Sequence, residues 1–147
     1  MAAFTKGAEY CIVDLMTGYI GNIEEATLNN SNFRQVIFTG PHSQLVLMSL
    51  NPSEDIGMEV HPSVDQFFRV EKGEGKVIVN ETEYIIGDGD SIIVPAGATH
   101  NVINTSTSEA LKLYTIYAPP HHKDGIVRLT REEAMADGPE FDGITTE

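Results

Sequence analysis

A chain of 147 residues suits one domain and buries roughly 68–70% of the surface that its unfolded form exposes. Its 22 acidic and 9 basic residues give a formal net charge of −13, which repels phosphate backbones and anionic lipid surfaces, so neither nucleic acid nor a membrane is an expected partner. With Cys11 as its single cysteine and no stretch near the roughly 18 apolar residues of a membrane span, the chain is predicted to be a soluble cytoplasmic protein.

Residues 1–42 are predicted to form an arm that precedes the main β-domain. Residues 9–15 could form a short strand, and Asn22 with Glu25 three residues later has the spacing of a helix N-cap, which predicts a helical turn. Residues 33–38 have the composition of a strand that ends at a Thr-Gly-Pro turn.

Strand signals then recur at short spacing up to residue 118. Residues 44–50, which read QLVLMSL, are nearly continuous in apolar side chains, as expected of a strand buried on both faces. The further predicted strands are residues 57–61, 66–71, 76–79, 83–86, 91–94, 100–104 and 111–118, with turns rich in glycine, asparagine and proline between them. This pattern predicts an all-β sandwich or barrel.

The C-terminal segment, residues 119–147, is predicted to contain one short helix. Thr130 followed by Glu133 is a capping-box pattern, and the helix is expected to run to about Ala136, before a Gly-Pro pair. The tail beyond this helix is expected to be loose. No linker divides the chain, so residues 1–147 are predicted to be a single domain with its barrel core at about residues 43–118.

The stretch from Gly57 to Asn104 carries the residues with the clearest chemistry. Glu59 and His61 stand at i and i+2 in a predicted strand, so their side chains share one face, about 7 Å apart along the chain. A carboxylate and an imidazole, two common metal ligands, therefore converge at one point.

A second block completes the pattern with the spacing G(x)5PxG(x)2H(x)3N, in which the named residues are Gly89, Pro95, Gly97, His100 and Asn104. This block resembles the second sequence motif of the cupin superfamily at every position. The resemblance is to small single-domain cupins of the conserved-barrel, mannose-6-phosphate isomerase-like type. It implies a double-stranded β-helix, or jelly roll, over about residues 43–118.

The first cupin motif, G(x)5HxH(x)3,4E(x)6G, is matched in part. His61, the spacing to Gln66 and Gly73 agree with it. Glu59 stands where the family has its first histidine, Gln66 stands where it has glutamate, and Ser53 replaces the leading glycine.

The resemblance implies a metal site made by Glu59, His61, Gln66 and His100, with Gln66 returning on the adjacent strand. Two imidazoles, a carboxylate and an amide oxygen suit Mn, Fe, Co, Ni, Cu or Zn better than Ca or Mg. We therefore predict one divalent transition metal, whose open positions could take water, O2 or an oxygen ligand. Gln66 could instead hydrogen-bond a bound water or substrate.

Other polar residues are expected to lie outside this set. His42, His121 and His122 stand in proline-flanked loops and are predicted to be surface residues, although the adjacent pair could collect adventitious metal. Asp65 should point to the opposite face of its strand. Arg34, the only basic residue in a long apolar stretch, is predicted to form a salt bridge, with an anionic substrate as the alternative partner.

Three functions fit these residues. The chain could be a metal-dependent isomerase or dioxygenase acting on a small oxygen-rich or aromatic metabolite, a non-catalytic module that binds a small ligand, or a metal-free barrel. A homodimer is also predicted, because the apolar strands at residues 10–13 and 33–38 need cover and cupins often dimerise in this way.

Overall fold

Two antiparallel β-sheets face each other in the computed structural model, which describes residues 15–147. The strands in chain order are β1 (Arg34–Thr39), β2 (Gln44–Leu50), β3 (Glu59–Val60), β4 (Asp65–Lys72), β5 (Glu74–Val79), β6 (Thr82–Gly87), β7 (Ser91–Val94), β8 (Thr99–Asn104), β9 (Leu111–Ala118) and β10 (Val127–Arg128). The six-stranded sheet has the order β10-β1-β2-β9-β4-β7, and the four-stranded sheet has the order β3-β8-β5-β6. The predicted double-stranded β-helix is confirmed.

The core lies between the two sheets. Strand β2 sits between β1 and β9, and its five consecutive residues from Val46 to Leu50 are all buried, as its continuous apolar sequence predicts. Phe68 and Leu113 project from the same sheet and Val77 and Val102 from the other, and each of these four side chains is 1% exposed or less. Burial of each such apolar side chain stabilises the fold by roughly 1.5–3 kcal/mol.

The predicted strand at residues 57–61 forms only at Glu59–Val60. Gly57 has a φ of +86°, which lies in the left-handed region and cannot continue a strand. Pro62 follows His61 and has no N–H to donate to a ladder. The result is a short strand that ends just where the site begins.

Two short helices flank the sheets. α1 spans Ile23–Asn29, and the Asn22 side chain accepts a hydrogen bond from Glu25 N at 2.9 Å, so the predicted N-cap is confirmed and the helix is longer than the expected turn. α2 spans Arg131–Ala136, and Thr130 Oγ1 accepts from Glu133 N at 3.1 Å, as predicted. Among residues 15–147 no helix is long and apolar enough to span a membrane.

The two ends of the described chain differ from expectation. The C-terminal tail is not loose, because Thr146 N donates to Thr39 O at 2.9 Å and the Glu147 carboxylate accepts from Thr17 N at 2.9 Å. Strand β1 is not a bare edge either, since it pairs with β10 on one side and β2 on the other. The strand predicted at residues 9–15, including its apolar part at 10–13, lies outside the described residues except for Leu15. Leu15 itself is in no strand.

Candidate metal centre

Glu59, His61 and His100 converge at one end of the four-stranded sheet. Alternation along the chain turns Glu59 and His61 inward and leaves Val60 between them 52% exposed. Pairing of β3 with β8 places Glu59 directly opposite His100. Glu59 Oε2 lies 3.3 Å from His61 Nε2 and 3.9 Å from His100 Nε2, and one donor atom from each residue lies within 4.8 Å of the other two.

Gln66 reaches the same point from the other sheet. It lies on β4, which pairs with β7 and β9 and not with β3, so the expectation of an adjacent strand is wrong. Gln66 Oε1 is 3.1 Å from His100 Nε2, and Gln66 Nε2 donates to Thr115 Oγ1 at 3.0 Å. The hydrogen bond to Thr115 orients the amide so that its oxygen faces the imidazole.

The protonation of His100 leaves a lone pair facing these oxygens. His100 Nδ1 is 3.2 Å from the carbonyl oxygen of Ala98, and since a carbonyl only accepts, Nδ1 carries the proton. Burial is the largest cause that lowers the pKa of His100, so the ring is neutral at pH 7 and Nε2 has no proton to donate. The Nε2 lone pair therefore faces the Glu59 carboxylate and the Gln66 amide oxygen, an arrangement that a cation stabilises.

His61 supplies a second buried ring nitrogen that has no hydrogen-bond partner among the described residues. His61 Nε2 is buried and has no hydrogen bond to any of the described residues. Glu59 Oε2 is within ion-pair distance at 3.3 Å, but the two atoms are not joined by a hydrogen bond. An unsatisfied buried polar atom costs about 1–3 kcal/mol, and coordination of a metal ion would satisfy it.

Backbone hydrogen bonds hold the two histidines in place. Gly97 N donates to His61 O at 2.8 Å, which ties His61 to the turn that leads into His100. Asp65 is exposed and faces away from the cluster, as predicted, and its Oδ1 accepts from Ala96 N at 2.8 Å in the same turn. Asp65 thus supports the turn and does not join the ligand set.

The prediction that His121 and His122 are surface residues is wrong. The His121 ring is half-buried, with its centroid 4.2 Å from that of His61, and His122 is only 6% exposed. His122 Nε2 lies 3.1 Å from the Tyr117 hydroxyl. His42, by contrast, is exposed as predicted.

Gln44 brings these two histidines over the end of the barrel. Its Oε1 accepts from the backbone N of His121 at 3.2 Å and of His122 at 2.9 Å, while its Nε2 donates to His122 O at 2.7 Å and to Thr39 Oγ1 at 2.9 Å. Gln44 has no exposed surface. The one sequence signal for this anchor is an amide side chain at the start of an otherwise apolar strand.

The electrostatics around His121 and His122 keep both rings neutral at pH 7. Burial is the largest cause that lowers the pKa of His121, and the nearby His61 lowers it further. Burial, followed by the positive charge of Arg34, lowers the pKa of His122 to about 2. Burial also raises the pKa of Tyr117, so its hydroxyl stays protonated.

Arg34 does not make its predicted salt bridge within the described residues, which leaves the anionic ligand as the alternative. It is 5% exposed, and none of the ion pairs of residues 15–147 includes it, so the predicted salt bridge is absent there. It lines a cavity of about 270 Å³ together with Glu59, His121 and His122. His121 also lines a neighbouring cavity of about 300 Å³ that reaches His61, so the cluster opens towards space that a small molecule could fill.

Comparison with known proteins agrees with this architecture. Residues 46–117 match the family model described as Cupin domain. The chain is 44% identical over 123 residues to uncharacterized protein L612 of Acanthamoeba polyphaga mimivirus, with 82% of this chain and 77% of L612 covered. It is 47% identical over 124 residues to uncharacterized protein YrkC of Bacillus subtilis (strain 168), covering 80% of this chain and 66% of YrkC. The crystal structure of BH2720 from Bacillus halodurans superposes with a TM-score of 0.79 at 45% identity, with 81% of this chain and 94% of BH2720 covered.

Proposed function

We propose, since the chain belongs to the cupin family, that Glu59, His61, Gln66 and His100 bind one divalent transition metal that in turn binds a small oxygen-rich metabolite. The observation that carries this proposal is the buried convergence of the Glu59 carboxylate with two imidazole Nε2 atoms, one of which has no partner among the described residues. The His100 Nε2 lone pair faces the Glu59 carboxylate at 3.9 Å, and the two repel each other unless a cation lies between them.

The donor set fits a transition metal. Two imidazoles and a carboxylate are ligands that Mn, Fe, Co, Ni, Cu and Zn accept, and residues 15–147 contain no cysteine that could complete a closed structural zinc site. The hydrogen bond from His100 Nδ1 to Ala98 O is the outer-shell contact that fixes a ligating imidazole in the correct tautomer. When bound, such a metal supplies Lewis-acid or redox chemistry at its open positions.

Gln66 is proposed as the fourth ligand through Oε1. Its amide oxygen already faces the point where Glu59 and His100 converge, and Thr115 holds the amide in that orientation. Because an amide oxygen is neutral, this set carries one negative charge, where the glutamate of the family motif would give a second.

The chemistry proposed at this centre is isomerase-like or dioxygenase-like turnover. The chain's own contribution is to bind the metabolite in the cavities beside His121, to exclude water through the buried walls of the barrel, and to keep His100 Nε2 unprotonated. Binding of a ligand without turnover, and a metal-free barrel, are the outcomes that the following test separates from catalysis.

The test is elemental analysis of the full chain, purified without an affinity tag. We expect about one equivalent of a transition metal per chain in the wild type and in His42→Ala, a matched control because His42 is exposed and belongs neither to the converging cluster nor to the lining of the two cavities beside it. The double variant His61→Ala with His100→Ala should lose this metal while its circular dichroism stays β-rich. Undiminished metal in the double variant would refute the assignment.

A second arm separates the adjacent histidine pair from the proposed ligands. His121→Ala should keep the metal, because His121 is not among the three residues whose donor atoms converge. Loss of metal in His121→Ala with retention in the double variant would move the site to the His121–His122 loop. Oxygen uptake and sugar-isomerisation assays on the metal-loaded chain then decide between turnover and binding alone.

A further inference from the structure

Arg34 carries a buried positive charge that has no acidic partner among the described residues. It is 5% exposed, and within residues 15–147 its Nε makes no hydrogen bond and no acidic residue pairs with it. The Phe33 ring, 5.6 Å from Arg34 Cζ, supplies a cation–π contact of only about 0.5–1 kcal/mol at ordinary sites. An unpaired buried charge costs several kcal/mol, so a fold that keeps it indicates a partner that binds there.

The cavity beside Arg34 connects it to the proposed metal site. Its volume is about 270 Å³, and its lining also contains Glu59, His121 and His122 together with Ala134 and Met135 of α2. Glu59 belongs both to this lining and to the cluster with His61 and His100. A molecule that fills the cavity therefore contacts both Arg34 and the Glu59 side of the cluster.

Charge in this cavity favours an anionic ligand. Burial, followed by the charge of Arg34, lowers the pKa of His122, so its imidazole adds no charge to the wall at pH 7. Arg34 is the lone basic residue among the described residues that line the cavity, and Glu59 is the lone acidic one. A divalent metal bound by the Glu59 carboxylate would keep a net charge of +1, and the Arg34 guanidinium adds a second positive charge to the wall.

We infer that Arg34 binds the carboxylate of a small anionic substrate whose other oxygen-bearing end reaches the Glu59–His61–His100 cluster. This inference rests on the proposed function, and it specifies the substrate class. A guanidinium pairs with a carboxylate through two parallel hydrogen bonds, and the second negative charge of a small diacid would match the positive charge left at the metal. A cavity of about 270 Å³ lies near the lower end of ligand sites, which suits a small metabolite.

The probes are malonate, succinate and glutarate, each beside its half-amide, which has the same size and one carboxylate fewer. Isothermal titration uses the full chain loaded with Co(II). At least one diacid should bind the wild type about tenfold or more tightly than its half-amide, because a hydrogen-bonded ion pair in a buried site contributes about 1.5–3 kcal/mol. Arg34→Met should remove this preference while its cobalt content and spectrum stay unchanged.

Two further variants complete the comparison. Arg34→Lys keeps the charge without the planar fork and should retain only part of the preference. Arg69→Met is the matched control, because Arg69 is half-exposed and pairs with Glu71 at 3.0 Å, and it should bind every probe as the wild type does. Arg34→Met should fold at least as stably as the wild type in the absence of ligand, since it removes an unpaired buried charge; if it does not fold, Arg34→Lys carries the comparison.

Several results would overturn the inference. It is wrong if no diacid binds the wild type at millimolar concentration, or if Arg34→Met keeps the preference. Arg34-dependent binding of inorganic phosphate that is tighter than that of every diacid overturns the carboxylate assignment. If the wild type takes up no cobalt, the proposed function fails by itself, and the same titration on the metal-free chain decides about Arg34: an Arg34-dependent preference supports a carboxylate site, and its absence refutes one.

Discussion

His122 is predicted to make the fold less stable as the pH falls from 8 to 5. Its side chain is 6% exposed, and burial together with the charge of Arg34 lowers its pKa to about 2. In the unfolded chain the same imidazole titrates near its ordinary value of about 6.5. Below that value the unfolded chain binds a proton that the folded chain does not, so the free energy of unfolding decreases as the pH falls.

The size of this effect follows from the unfolded-state pKa of His122. At pH 5 that value lies about 1.5 units above the solution pH, and each unit corresponds to about 1.36 kcal/mol, so the free energy of unfolding drops by about 2 kcal/mol relative to pH 8. The result depends little on the folded-state pKa as long as it stays well below 5. Stability from this group is therefore fully present above about pH 6.5 and is lost progressively below it.

Urea unfolding at pH 5, 6, 7 and 8, with EDTA present to remove metal, measures the effect in the wild type and in His122→Asn. The difference between the two free energies of unfolding should change by about 2 kcal/mol from pH 8 to pH 5. His42→Asn, at an exposed position, should follow the wild-type profile. An identical pH dependence in His122→Asn and the wild type would show that burial of His122 does not keep its imidazole neutral.

Two further predictions concern the loop and the oligomer. Gln44→Leu removes four hydrogen bonds of a buried side chain, so it should lower the free energy of unfolding, measured in urea, by about 2–4 kcal/mol. The control Gln35→Leu loses one partly buried hydrogen bond to Asn32 and should change this free energy by less than about 1 kcal/mol. Equal losses in the two variants would contradict the anchoring role of Gln44. A homodimer stays a prediction, and the exposed apolar side chains of Ile85 (92%) and Ile93 (71%) on the outermost strands of the two sheets support it. Light scattering at micromolar concentration should give twice the chain mass of 16.1 kDa, and a monomeric mass would refute the dimer.

Local sequence patterns determined the strands and the two halves of the candidate site. The alternation of a strand places Glu59 and His61 on one face whatever the rest of the chain does, because successive side chains point to opposite sides. The turn at Pro95 and Gly97 sets where His100 enters its strand, and the cupin-like spacing relates that strand to Glu59. These are short-range constraints, so they can be read along the chain.

The position of Gln66 was predicted only in part. Its spacing indicated a ligand position, but the sequence placed it on a neighbour of β3, whereas it lies on β4 in the opposite sheet. Which strands pair depends on how the loops close and on which apolar faces pack together. Neither is contained in the spacing between two motifs.

Only the tertiary structure decided the surroundings of Arg34, His121 and His122. Proline-flanked histidines have the same local composition whether a loop faces solvent or folds over a barrel, and here the choice depends on Gln44, which is 77 residues from His121 in the chain. Arg34 is likewise buried by elements that follow it at a distance, since β10 pairs with its strand and α2 supplies the far wall of its cavity. How deeply a polar side chain is buried, and which groups it contacts, depends on many such long-range contacts. These contacts form only when the two sheets pack, so the local sequence does not determine them.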